Sequence, residues 1–81
     1  MESRLIKIDD STNVLCEVYD NGRHWGHRAK LFKNGVEKAK ATITYDNRTW
    51  ERFQFESVIR KVIRKSCLYG EKEMDVIMGR I

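Results

Sequence analysis

Few side chains in this sequence could do covalent or metal chemistry, and their spacing argues against most of it. His24 and His27 are the only two histidines. Three residues apart on a strand, they would point to opposite faces, so they could not grip one ion together. Cys16 and Cys67 are the only cysteines, and they fit no metal spacing and no disulfide framework of a small secreted scaffold. Both read as reduced core residues, and His27 as a histidine at the edge of the core. No Ser or Cys is grouped with a base and an orienting group as nucleophilic catalysis requires. Gly22, Gly26 and Gly35 fall in hairpin-like stretches rather than between a strand and a helix, where a phosphate loop would sit. The expectation is therefore a non-enzymatic protein with no metal and no other cofactor.

Charge is the more informative chemistry. Sixteen Lys and Arg against twelve Asp and Glu give a net charge of +4, unevenly spread. Residues 1–22 carry 2 basic and 5 acidic groups, residues 23–65 carry 12 and 4, and residues 66–81 carry 2 and 3. The middle segment is thus +8 between two mildly acidic ends. With 81 residues, the chain holds one small domain. A charged fraction of 35% and the absence of a long apolar run argue against a membrane span, and the first residues lack the pattern of a signal peptide. A cytoplasmic location is expected.

The elements that would position these charges follow from turn signals. Asp20-Asn21-Gly22, Lys33-Asn34-Gly35 and Asp46-Asn47 each separate segments rich in β-branched and aromatic residues, as hairpin turns do. Residues opposite one another in a sheet share a face, so the apolar pattern selects the loop lengths. A two-residue Asn21-Gly22 loop pairs Val18 with Trp25, Cys16 with His27 and Val14 with Ala29. A three-residue loop at 33–35 pairs Ala29 with Ala39, His27 with Ala41 and Trp25 with Ile43, with Gly35 at the left-handed position before a bulge. Residues 48–55 fit a further strand better than a helix start, because a strand puts Phe53 and Phe55 on the apolar face. Leu5-Ile6-Lys7-Ile8 reads as a short edge strand. Val58, Ile59, Val62 and Ile63 recur at helical spacing within 56–68, with Gly70 as a stop. Met74, Ile77, Met78 and Ile81 repeat the spacing, so a short second helix either closes the core or forms a homodimer contact. The fold class is α+β: an antiparallel meander of four to five strands, with a C-terminal helix packed on one face.

The same parity assigns the face turned away from the helix. Glu17, Tyr19, His24, Arg28, Lys30, Phe32, Lys38, Lys40, Thr42, Thr44, Trp50, Arg52 and Gln54 fall there, five of them Lys or Arg. Arg28 would oppose Lys40, and Lys30 would oppose Lys38, an unfavourable pairing of like charges in the isolated protein. Cations meet phosphates and aromatic rings stack on bases, so Arg28, Lys30, Phe32, Lys38, Lys40, Trp50 and Arg52 are the candidate binding residues for nucleic acid or a nucleoprotein. A merely solvated sheet face, with Lys guarding against edge pairing, has the same composition. Arg60, Lys61, Arg64 and Lys65 form a second basic patch on the outer side of the helix, where they also complement its dipole.

Asn47-Arg48-Thr49-Trp50-Glu51, followed by Phe53, Phe55 and the aliphatic positions Val58 and Ile59, resembles a segment of small, largely uncharacterised proteins of bacteriophages and related mobile elements. The resemblance covers the stretch from Tyr45 to Ile59. It implies a phage or prophage accessory protein at work in a bacterial host cell, and it brings no catalytic residues with it. The meander plus helix is also similar in topology to single-stranded DNA-binding coactivator-type domains and to plant-type three-strand-plus-helix DNA readers, though their motifs are absent. Two functional expectations follow. One is nucleic-acid or host-nucleoprotein binding through the basic face. The other is inhibition of a host protein complex, as anti-CRISPR proteins do, through a protein interface anchored by Trp50, Phe32 and Tyr19.

Overall fold

Alternation of apolar and polar residues runs through the first half of the chain, and in the computed structural model it folds as a sheet. Residues 3–45 and 54–81 are described. Strands β1 (Ser3–Asp9), β2 (Thr12–Asp20), β3 (Trp25–Lys33) and β4 (Val36–Tyr45) form an antiparallel meander in the order β1-β2-β3-β4. Helices α1 (Glu56–Ser66) and α2 (Glu71–Arg80) follow. The α+β class and the meander are as the sequence predicts, and the second helix is present. The proposed strand over residues 48–55 lies mostly outside the described residues. Gln54 is not in a strand, and Phe55 is the residue immediately before α1.

One sheet face and the two helices enclose the core. Val14, Cys16, Ala29, Leu31, Val58, Val62 and Ile63 are fully buried there. Each large aliphatic side chain so buried stabilises the fold by about 1.5–3 kcal/mol relative to exposure. Helix α1 packs across β4 and β3, where Ala29, Ala39 and Ala41 let its backbone come close. Helix α2 adds Met74 and Ile77 to the same core, so it does close the core, one of the two roles the sequence allows it. At one end of the sheet Trp25 stacks on Tyr45 at 4.7 Å, and His27 sits between Tyr45 at 5.1 Å and Phe55 at 4.8 Å. His27 is 1% exposed, a residue of the core itself and not of its edge.

Both predicted hairpin registers are off by two residues, and the faces survive because the error is even. Val18 pairs with His27, Cys16 with Ala29 and Val14 with Leu31. The first turn is a four-residue loop between Asp20 and Trp25. It is closed by Asn21, whose side-chain Oδ1 accepts the N–H groups of Arg23 and His24, while Asp20 accepts from Gly22. In the second hairpin Asn34 and Gly35 alone form the turn, both at positive φ, with Lys33 opposite Val36. Parity is restored further along, where Phe32 pairs with Glu37 but Leu31 with Ala39, leaving Lys38 as the extra residue of a bulge.

The ends of the helices also differ from expectation. Cys67, at φ 57, is the left-handed cap that closes α1, and its N–H reaches the Arg64 carbonyl. Gly70 instead opens α2, its N–H donating to the Glu73 carboxylate. Cys67 is exposed, so only Cys16 is a core thiol, and burial pushes that thiol up to about 12.

Candidate functional site

The face of the sheet turned away from the helices carries Arg28, Lys30 and Lys40, with Lys38 at a bulge, within three neighbouring rows. In the middle row, reading from β1 to β4, stand Leu5, Leu15, Lys30 and Lys40, each directly opposite the next. The row beside it holds Ser3, Glu17, Arg28 and Thr42. On the other side are Lys7, Asn13, Phe32 and Glu37, with Lys38 in the bulge. Like charges therefore do face each other across the strands, but the pair is Lys30 with Lys40. The expected pairs of Arg28 with Lys40 and Lys30 with Lys38 are corrected by the two-residue turn and the one-residue bulge, which together slide β4 by two residues.

Next to these rows the sheet has a fixed aromatic surface. Gly26 has no side chain, and the ring of Tyr19 fills the space that leaves: a Cβ on Gly26 would meet the Tyr19 ring at 2.8 Å and collide with the Ile43 carbonyl oxygen. The Tyr19 hydroxyl is held at 2.6 Å from the Thr44 hydroxyl, and the Arg28 guanidinium lies 5.1 Å from the ring centre. Pinned at both ends, Tyr19 is pre-placed with a cation beside it. This platform has a sequence signal in the Gly26 that interrupts an otherwise regular strand.

Charge partners separate this face from the helix. Arg60 is shared between Glu56 and Asp75, Arg64 makes two bonds to Glu71, and Lys61 donates to the Thr42 carbonyl at 2.9 Å. The Arg64 guanidinium beside Glu71 holds that carboxyl below its usual range. The predicted second patch is thus largely engaged in holding α1 to α2 and to β4. On the open face, by contrast, Lys30, Lys38 and Lys40 have no carboxylate partner among the described residues.

The structure brings together Arg28, Lys30, Phe32 and Lys40, with Lys38 at their margin. Trp50 and Arg52 lie outside the described residues. His24 belongs to the first turn rather than to a strand. Leu5 and Leu15, absent from the predicted set, give the middle row an apolar half, and Leu5 is 64% exposed. Among the described residues no cluster of His, Cys, Asp or Glu has the makings of a metal site, and no helix is long and apolar enough to cross a membrane. Comparison with protein-family models, curated proteins and solved structures finds no match for this chain.

Proposed function

We propose that this is a non-enzymatic binding protein whose open sheet face contacts nucleic acid, free or within a nucleoprotein. The observation that carries the reading is the opposed Lys30 and Lys40, which lack carboxylate partners among the described residues and stand beside Arg28 and the pinned Tyr19 ring. Neighbouring strands are about 4.8 Å apart, so two ammonium groups so placed repel one another until an anion comes between them. A phosphate backbone supplies that anion, and the Arg28 guanidinium over the Tyr19 ring offers a plane on which an unstacked base can stack. The phage or prophage setting rests on the resemblance around Trp50 and is part of the proposal.

Fluorescence anisotropy with labelled single-stranded and duplex DNA and RNA tests the reading. Binding at low salt that weakens steeply with added salt supports it, and absence of binding to all four at low salt rules it out.

A second reading, inhibition of a host protein complex, is favoured by one observation: Leu5 and Leu15 continue the row of Lys30 and Lys40 and would give a protein partner an apolar anchor. Capture of a defined host protein from a nuclease-treated lysate, lost on Leu5→Asp but kept on Lys40→Glu, favours this reading over the first.

A further inference from the structure

β1 is an outer strand of the sheet, and a groove separates it from the last turn of α2. Residues 4–8 form one wall, and Ile77, Arg80 and Ile81 form the other. The groove has a volume of about 310 Å³ and adjoins a second hollow of about 280 Å³, with which it shares Arg4, Ile6 and Ile81. An outer strand turns alternate N–H and C=O groups away from its partner, toward the open side. Among the described residues, β1 makes no backbone hydrogen bond to any element but β2.

The lining has a distinct charge. Arg4, Lys7 and Arg80 border the first hollow, the other lining residues are aliphatic, and none is acidic. Lys7 has Asp10 at 3.7 Å, whereas Arg4 and Arg80 have no carboxylate partner among the described residues. Two guanidinium groups thus flank an aliphatic trough that runs along an exposed strand backbone.

We propose that this groove binds an extended peptide segment carrying acidic residues among aliphatic ones, added as a further strand on β1. Main-chain hydrogen bonds to β1 would hold the segment. Alternate aliphatic side chains would enter the trough toward Ile6, Ile77 and Ile81, and the acidic residues would meet Arg4 and Arg80. A second copy of this chain suits the groove less well, because antiparallel pairing of two β1 strands would bring Arg4 and Lys7 of each copy toward the same cations of the other. The groove shares Leu5 and Lys7 with the open sheet face, but Arg4 and Arg80 are not among the cations proposed for nucleic acid, so either reading can fail without the other.

The test is selection of the full chain against a library of random linear heptapeptides, followed by titration of a synthesised winner with amide NMR shifts as readout. The expected result is enrichment of acidic residues alternating with Val, Ile or Leu, with shifts concentrated on residues 4–8 and 77–81. Arg4→Glu combined with Arg80→Glu should weaken that peptide about tenfold or more and turn selection toward Lys- and Arg-bearing peptides. Both arginines are exposed, so the variant should fold, which its amide spectrum verifies. Should it not fold, Arg80→Ala alone is expected to weaken the same peptide several-fold. Selection indifferent to charge, shifts centred on another surface, affinity unmoved by the folded variants, or a concentration-dependent dimer with shifts on β1 would each overturn the proposal.

Discussion

Lys30 and Lys40 stand directly opposite one another across β3 and β4, on the sheet face that the helices leave open. A like-charged cross-strand pair costs stability in the free protein, so relieving it should separate folding from binding. Lys40→Glu is expected to raise stability by about 0.2–1 kcal/mol while lowering affinity for nucleic acid. Urea denaturation and anisotropy on the same variant check the two signs. If both properties rise together, the lysine pair is not a binding device.

Gly26 and Tyr19 should prove inseparable. Because any Cβ at Gly26 collides with the Ile43 carbonyl oxygen and crowds the Tyr19 ring, Gly26→Ala is expected to cost about 1–3 kcal/mol, measured by thermal or urea unfolding. Replacing Tyr19 by Ala as well should not rescue the variant fully, since the clash with the strand backbone persists.

The sheet faces were legible in the sequence because a face depends only on odd or even position. Val14, Cys16, Val18, Ala29 and Leu31 fall on the core side whichever even offset the hairpins adopt. Register was not legible, for two local reasons. Asn21 spends its side chain on the N–H groups of Arg23 and His24, which widens the first turn to four residues. At the second turn the apolar pattern ruled against a two-residue Asn34-Gly35 loop, but the strand uses that loop and corrects its phase later, with a bulge at Lys38. Such a bulge has no distinctive residue in an Ala-Lys repeat. Arg28, Lys30 and Lys40 fall on the open face as parity predicts, while their neighbours across the strands depended on the turn and the bulge and were not legible.

Asp9 is predicted to make the fold acid-sensitive. Its carboxylate accepts a hydrogen bond from the Tyr69 hydroxyl at 2.7 Å and from the Ser11 N–H at 2.9 Å. These hold it well below its ordinary value of 3.8, Tyr69 contributing most. A folded-state pKa below the unfolded one means that the stabilisation is complete above about pH 4 and fades as pH falls further. Tyr69 also lies 3.1 Å from the buried Thr12 hydroxyl, tying the segment between the helices to the β1–β2 turn. Tyr69→Phe should lower the melting temperature at pH 6 and flatten its decline between about pH 4 and pH 2. The share due to Asp9 should be below about 1 kcal/mol because the carboxylate is solvent-screened.

The two thiols should behave oppositely. Native protein at pH 8 is expected to react with one equivalent of a thiol reagent, at exposed Cys67, while Cys16 reacts only on unfolding. Because Cys67 holds a left-handed cap at φ 57, Cys67→Gly should abolish native labelling and also stabilise the fold by about 1 kcal/mol. In a domain of this size that corresponds to a rise of about 4–8 °C in melting temperature, measurable by calorimetry.

The central claim, that the open sheet face meets phosphates, is tested most directly by the salt dependence of affinity for a single-stranded oligonucleotide. Plotted as log K against log salt, the native chain should give a steep negative slope. Lys30→Glu combined with Lys40→Glu should weaken binding and flatten that slope by about 1.4, the loss of two phosphate contacts at about 0.7 each. An affinity and slope that this double variant leaves unchanged would contradict the account.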